Sequence, residues 1–144
     1  RFNCVNVVFI ESQSRAINSQ PSTADDMLVS GCSVESGGGV LDLGGVRTIA
    51  VNNRSIDAAG FFCPEDSVIA NNVVVNPSGD GMNVGEPDTI IIGNRIIGAS
   101  DNCIQTGVSD VIIANNRVSD STDTDIETGG ASPVLDGNNT GASN

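Results

Sequence analysis

The chain has 144 residues, of which six are Arg and eighteen are Asp or Glu, for a formal net charge of −12. It contains no Lys, His, Trp or Tyr. The length corresponds to a single domain with a slender core. Nucleic-acid binding and membrane insertion are not expected, because there is no basic patch, little aromatic surface and no long apolar run. The acidic, Lys-free composition predicts a protein from a halophile, or from a virus that infects one.

Residues 1–40 show the least regular pattern in the chain. The heptapeptide DDMLVSG from Asp25 is similar to GDGMNVG from Gly79, which predicts one or two irregular coils or a cap in this region. A longer loop is expected around Gln20 and Pro21. Residues 41–144 are predicted to form the regular coils of the same domain.

A tetrapeptide pattern recurs from residue 41 onward. It reads LDLG at 41–44, MNVG at 82–85, IQTG at 104–107 and IETG at 126–129. Its alternation of apolar and polar residues is typical of a strand with one buried face. Asn83, Gln105 and Glu127 are therefore predicted to point outward, and the closing Gly allows the chain to bend.

A second pattern is centred on four Asn residues. These anchors are Asn53, Asn72, Asn94 and Asn116, at spacings of 19, 22 and 22, and the next is Asn139, at a spacing of 23. A repeat of this length is typical of a solenoid, whose units bury their apolar faces against one another. Strict alternation predicts that Ile90, Ile92, Asn94 and Ile96, and their equivalents in the other copies, face inward. The buried Asn side chains are expected to hydrogen bond to one another.

The same alternation predicts a set of large apolar side chains on the outward face. They are Ile69, Ile91, Ile113, Val73 and Ile97. An exposed apolar stripe is typical of an interface. Either the segment 5–10 packs over it or another subunit does.

Together the two patterns resemble the right-handed parallel β-helix superfamily, the pectin-lyase-like fold of polysaccharide lyases, polygalacturonases and many tailspikes. The resemblance covers about residues 41–140. It implies an all-β fold, a right-handed parallel β-helix (solenoid) whose coil length equals the repeat of the Asn anchors. It also points to a homo-oligomer, with the trimer of β-helical spikes as the expected form. Ordinary sandwich strands are the alternative.

Two short segments are similar to polygalacturonase motifs. SGDGM at 78–82 resembles the first motif and SDNCI at 100–104 the second, and the spacing from Asp80 to Asp101 fits that between the two motifs. The resemblance implies that Asp80 and Asp101 are the catalytic carboxyl groups if the protein is an enzyme. Asn102 stands where a third carboxylate is expected, and the family's later His and Lys motifs are not found. A lyase of this fold would need a Lys or Arg base, and only Arg54, Arg95 and Arg117 lie in the regular coils. Catalysis is therefore the less favoured interpretation.

Acidic residues near the C-terminus suggest a cation site. Asp123, Asp125 and Glu127 alternate along one segment and are predicted to face outward together, with Asp101 one coil below. Calcium prefers several such oxygen ligands, so calcium is the cofactor to consider, and hydrated surface carboxylates are the alternative.

The four Cys residues show no CxxC spacing, and the chain has no His, so a zinc site is not expected. Cys63 is predicted to be a buried thiol and Cys103 to face outward, two coils away. Cys4 and Cys32 lie in the irregular N-terminal part, and a disulfide or two buried thiols are both compatible with the sequence.

These patterns favour an extracellular, cell-surface or virion-surface structural module, such as a spike, fibre or turret component. Glycan recognition on the outward strand faces is a second expectation, with five candidate residues: Asp101, Gln105, Asp123, Asp125 and Glu127. The alternative is a polysaccharide-active enzyme, a glycoside hydrolase or lyase, on the same fold.

Overall fold

The computed structural model describes residues 2–12, 17–18, 26–37, 41–43, 46–129 and 131–141. Over these residues the chain is an all-β parallel β-solenoid, and no helix occurs among them. Over the described residues, each of the first six coils contributes one strand to each of three parallel sheets, and the seventh contributes strands to two of them. No helix in this part of the chain is long and apolar enough to cross a membrane. The β-helix prediction is thereby confirmed, and its handedness remains an implication of the resemblance.

Sheet 1 contains the first strand of each coil. Its seven strands, in spatial order, are β1 (Phe2–Val5), β4 (Met27–Ser30), β7 (Ile49–Val51), β10 (Val68–Ala70), β13 (Ile90–Ile92), β16 (Ile112–Ala114) and β19 (Val134–Asp136).

Sheet 2 follows sheet 1 in every coil after a sharp corner. Its seven strands are β2 (Val8–Ser12), β5 (Ser33–Gly37), β8 (Arg54–Ile56), β11 (Val73–Val75), β14 (Arg95–Ile97), β17 (Arg117–Ser119) and β20 (Asn139–Thr140).

Sheet 3 completes each coil. Its six strands are β3 (Ile17–Asn18), β6 (Leu41–Asp42), β9 (Phe61–Cys63), β12 (Met82–Val84), β15 (Ile104–Thr106) and β18 (Ile126–Glu127).

The coil length is constant in the C-terminal half and varies in the N-terminal half. In sheet 1, Val68 pairs with Ile90, which pairs with Ile112, so these two coils are of equal length. Phe2 pairs with Met27 across a longer coil, yet both strands belong to the same sheet as the later coils. The N-terminal strands thus extend the solenoid, and a domain boundary at residue 40 stays a prediction. The loop expected around Gln20 and Pro21 lies outside the described residues.

The corner between sheets 1 and 2 is made by a left-handed residue in each coil. The φ angles are 57° at Asn52, 55° at Asn71, 67° at Gly93 and 54° at Asn115. Gly adopts this conformation without a steric penalty, and Asn tolerates it better than most residues. Since each of these residues directly precedes an anchor Asn, the alternation of side chains is interrupted at that point.

This interruption reverses the predicted orientation of sheet 1. Ile69, Ile91 and Ile113 are fully buried, whereas Ile49 and Ile112, one position earlier in their strands, are 47% and 41% exposed. The prediction that Ile69, Ile91 and Ile113 form an exposed stripe is therefore wrong. The inward orientation predicted for Ile90 and its equivalents, the first residues of these strands, is wrong as well. A single left-handed residue shifts the period-two pattern by one position.

Orientations after the corner agree with the alternation. Ser55, Val74, Ile96 and Val118 are buried in sheet 2, and Val73 and Ile97 are half-buried on its outer side. The outward orientation of Val73 and Ile97 is confirmed, and their role in an interface stays a prediction.

The predicted Asn ladder is present in the interior. Each anchor donates from Nδ2 to Oδ1 of the next, at 3.0 Å from Asn53 to Asn72, from Asn72 to Asn94 and from Asn94 to Asn116. The ladder continues from Asn116 to Asn138 at 3.1 Å, so Asn138 is the fifth member and not Asn139. Asn139 instead pairs with Arg117 in sheet 2. Satisfied amides of this kind hold consecutive coils in one register.

Left-handed residues also form two further sets of corners, and many of these residues are Asp. Positive φ angles occur at Asp26, Asp57, Asp66, Asp88, Asp110 and Asp120. Six of the thirteen Asp residues therefore stand at corners, where Asp is favoured for conformational reasons. Part of the acidity follows from the fold, and the halophilic origin remains a prediction from composition.

Candidate functional site

The outer face of sheet 3 carries a column of four side chains with different chemistry. The middle residues of consecutive strands pair in register: Phe62 with Asn83, Asn83 with Gln105, and Gln105 with Glu127. In β9, β12 and β15 the residues on either side of the middle one are buried. The middle residue must therefore face outward, as predicted for Asn83, Gln105 and Glu127.

Phe62 is the member of this column that the sequence patterns missed. Its side chain is 37% exposed, whereas the adjacent Phe61 is 1% exposed. The tetrapeptide pattern passes over this coil because Pro64 follows Cys63 where the other copies have Gly. Phe62 is identified by its pairing in register with Asn83, which faces outward. An aromatic ring at the surface provides a platform on which a ligand can stack.

The side chain of Asn102 connects acidic residues from three coils. It is 4% exposed, and its Nδ2 donates to Oδ1 of Asp80 at 3.2 Å and to Oε2 of Glu127 at 3.1 Å. Nδ2 also lies 3.4 Å from Oδ1 of Asp101, and Oδ1 of Asn102 accepts from the main-chain N–H of Thr124. A neutral amide thus connects carboxyl groups from three coils.

Asp80 links this network to the exposed aromatic ring. Its Oδ1 also accepts from the main-chain N–H of Asn102 at 3.2 Å, and its Oδ2 accepts from Nδ2 of Asn83 at 3.1 Å. Phe62, Ser78, Asp80 and Asn83 line a shallow cleft of about 300 Å³. The cleft combines one apolar ring with acceptor and donor groups, a set that suits a ligand with both hydroxyl groups and C–H faces.

The three residues predicted to bind calcium do not share one face. Asp123 is exposed and Glu127 is half-buried, but Asp125 is only 6% exposed. Oδ1 of Asp125 accepts from Oγ of Ser121 at 2.9 Å, and its Oδ2 has no hydrogen-bond partner in the described part of the chain. The outward orientation predicted for Asp125 is wrong, because Asp125 precedes β18 and strand alternation does not extend to it. Among the described residues no group of three or more acidic or Cys side chains is placed to hold a metal ion.

The carboxyl groups predicted to act in catalysis, Asp80 and Asp101, lie on either side of Asn102. Asp101 is exposed and Asp80 is half-buried. Glycoside hydrolysis by inversion requires one carboxyl group that donates a proton and a second that activates water. Both oxygens of Asp80 accept hydrogen bonds from Asn83 and Asn102, an arrangement that fixes the orientation of this carboxyl group. The structure brings both carboxyl groups within hydrogen-bonding distance of the same amide, Nδ2 of Asn102.

Cys103 lies beside the buried Asp125 and is itself fully buried, so the prediction that it faces outward is wrong. Burial raises the pKa of its thiol to about 11, and the negative charge of Asp125 contributes in the same direction. Burial also raises the pKa of Cys63, which is fully buried as predicted. Both thiols are therefore protonated at neutral pH and behave as small apolar side chains.

A second candidate surface is the outer face of sheet 1. An apolar stripe crosses it, with one side chain from each of six paired strands: Leu28, Ile49, Val68, Ile90, Ile112 and Val134. Val134 is 59% exposed, and the segment 5–10, a candidate to cover an apolar stripe, belongs to β1 and β2 at the edges of sheets 1 and 2. Over the residues that the structure describes, the stripe is partly exposed to solvent.

Comparison with known proteins adds no family assignment: no family model, no curated protein and no solved structure matches this chain. The parallel β-solenoid is consequently established by the strand pairing alone.

Proposed function

We propose that the chain is a structural β-helix module of a surface assembly, such as a spike, fibre or turret component outside the cell or on a virion. Its copies would associate through the apolar stripe of sheet 1. The observation that carries this proposal is the stripe itself, which extends over six coils and contains no charged side chain.

The charge distribution supports a second copy of the chain as the partner. With a formal net charge of −12, two copies repel each other over most of their surfaces. The stripe provides an uncharged strip roughly 25 Å long, from strand spacings of about 4.8 Å, along which they can meet. β-Branched side chains in register also form a regular surface that can interdigitate with its equivalent. The sequence patterns resemble those of β-helical spikes, many of which are trimers, so a trimer is the first symmetry to test.

The test is the molar mass of the wild-type chain and two variants by light scattering, in a salt series from dilute buffer to several molar. We expect an oligomer for the wild type and monomers for Ile90→Asp and Ile112→Asp, with circular dichroism unchanged. Gln105→Asp, which adds a charge to the outer face of sheet 3, is the matched control and should remain oligomeric. A wild-type monomer at every salt concentration would overturn the proposal.

Glycan binding at the cleft beside Phe62 is a second proposed function of the same module. The exposed ring would pack against the C–H face of a sugar, and Asp80 and Asn83 would hydrogen bond to its hydroxyl groups. Because Asp80, Asp101 and Glu127 surround Asn102, the site disfavours acidic sugars by charge repulsion. Neutral glycans are the ligands that fit.

Binding of neutral and uronic-acid oligosaccharides can be compared on an array and quantified by calorimetry. Phe62→Ala should reduce affinity for a neutral oligosaccharide at least tenfold, whereas Val134→Ala removes an exposed apolar side chain on another face and should leave it unchanged. Equal binding by both variants would contradict a site at Phe62.

The alternative is a polysaccharide-active enzyme that uses Asp80 and Asp101. It predicts release of reducing ends from polygalacturonate or from a neutral polysaccharide. Asp80→Asn and Asp101→Asn should each abolish that release, while Asp123→Asn, an exposed carboxylate outside the network, should retain it. If the wild-type chain binds glycan without cleaving it, the binding function stands and the enzymatic alternative fails.

A further inference from the structure

Cys4 and Cys32 lie side by side in the interior of the first two coils. Their Sγ atoms are 3.2 Å apart, and the side chains are 8% and 1% exposed. Cys4 belongs to β1, and Cys32 directly precedes β5. Both are free thiols in the structure. Twenty-eight residues separate them in sequence, so their proximity results from the winding of the chain.

Cys32 occupies the position of an anchor Asn in its own coil. Its main-chain N–H donates to Oδ1 of Asn53 at 2.9 Å, as the N–H of Asn53 donates to Oδ1 of Asn72. Its Sγ lies 3.4 Å from the carbonyl oxygen of Cys4, one coil below. In the next coil the side chain of Asn53 makes the equivalent contact, from Nδ2 to the carbonyl oxygen of Val29 at 3.0 Å.

The ladder therefore ends where the cysteines begin. Each anchor from Asn53 to Asn138 joins two coils, because its Nδ2 donates to a main-chain carbonyl oxygen in the sheet 1 strand of the coil below. A thiol is a much weaker donor than an amide. Without another link, the coil that contains Cys4 is held less firmly than the coils joined by the amide ladder.

We propose that Cys4 and Cys32 form a disulfide that takes the place of the missing ladder member and secures the first coil. The oxidant is a low-molecular-weight disulfide. One protein thiolate attacks it and releases one small thiol, and the second protein thiolate then displaces the other small thiol. Two protein thiols and one small disulfide thus become one protein disulfide and two small thiols, with the two protons from the protein thiols passing to the products.

The other two cysteines, Cys63 and Cys103, are too far apart to form a disulfide with each other. Cys63 pairs in register with Val84, and Cys103 lies in the coil beyond it. Two coils correspond to about 10 Å, which is more than the roughly 7 Å that a disulfide can bridge between Cα atoms. Burial and the contact with Cys32 raise the pKa of Cys4 to about 11, which makes exchange in the folded chain slow. The bond is thus expected to form most readily during folding.

The Arg positions allow a direct test. Trypsin cleavage after each of the six Arg residues places each cysteine in its own peptide: 2–15, 16–47, 55–95 and 96–117. The chain is refolded from urea with a mixture of oxidised and reduced glutathione, alkylated, digested without reduction and analysed by mass spectrometry. We expect peptides 2–15 and 16–47 to be linked, and the other two to carry the alkyl group. Alkylation of all four cysteines, or a different linkage, would overturn the proposal.

A second measurement addresses the effect on the first coil. Amide hydrogen exchange in residues 2–5 should be at least tenfold slower in the oxidised chain than in the reduced chain, and the melting temperature should rise by about 5–10 °C. The double variant Cys4→Ala/Cys32→Asn restores an amide at the ladder position and should show slow exchange in both redox states. Cys63→Ala is the control that retains the redox difference. Equal exchange in the oxidised and reduced wild type would contradict a securing role.

Discussion

The two faces of sheet 1 are nearly identical in composition and entirely different in environment. The inner face carries Ala50, Ile69, Ile91 and Ile113, all fully buried, and the outer face carries Ile49, Val68, Ile90 and Ile112, all partly exposed. Hydrophobicity alone cannot distinguish them. The left-handed corner residue decides which face joins the core, because it sets the orientation of the strand relative to the buried Asn that follows.

The largest predicted effect comes from placing a charge on either face of β13. Ile91→Asp puts an unpaired carboxylate into the core and should destabilise the chain by more than about 4 kcal/mol. Ile90→Asp should change the free energy of unfolding by less than about 1 kcal/mol. Urea denaturation measures both, and comparable losses in the two variants would refute the assignment of inner and outer faces.

The next effect tests the ladder that fixes the corner. Oδ1 of Asn94 accepts from the main-chain N–H and Nδ2 of Asn72, and its Nδ2 donates to Asn116 and to the carbonyl of Ile69. Asn94→Ala leaves these buried groups without partners and should cost about 3–5 kcal/mol. Asn83→Ala, an amide on the outer face, should cost about 1 kcal/mol or less. A small effect at Asn94 would mean that apolar packing alone aligns the coils.

Burial in the interior also raises the pKa of a thiol group. The pKa of Cys103 is raised to about 11, so the folded chain retains this proton more strongly than the unfolded chain. Its contribution to stability is fully present below the unfolded pKa of about 8.5 and is lost as the pH rises through 11. The predicted loss is about 3 kcal/mol, measured by urea denaturation between about pH 8 and pH 11. Cys103→Ala should show a shallower pH dependence; an identical profile would exclude this thiol as its source.

The smallest predicted effect tests the left-handed corner between sheets 1 and 2. A Cβ atom at Gly93, where φ is +67°, would lie 2.6 Å from Oδ1 of Asn71. Gly93→Ala should therefore cost about 1–2 kcal/mol. At Gly107 nothing lies within 4 Å of an added Cβ, so Gly107→Ala should be nearly neutral. Thermal melting of the two variants compares them, and the predicted order reverses only if the corner is not left-handed.

The candidate site was partly predictable for similar reasons. The tetrapeptide pattern identified Gln105 and Glu127 on the outer face of sheet 3, and Asp80 and Asp101 were paired through their resemblance to polygalacturonase motifs. Phe62 was missed because its coil lacks the closing Gly, and Asp125 was misplaced because it precedes β18, where alternation does not hold. The bridging role of Asn102 depends on contacts between three coils, which no local pattern contains.

The sequence by itself determined the parallel β-solenoid, the length of its repeat and the buried Asn ladder, because these depend on periodicity and on the chemistry of a single repeated residue type. Only the tertiary structure decided which apolar residues of sheet 1 are inside, and that Cys4 meets Cys32. Both depend on backbone conformation at the corners and on the winding of the N-terminal coils. One residue with positive φ reverses every orientation on one side of it, while leaving the hydrophobic pattern unchanged.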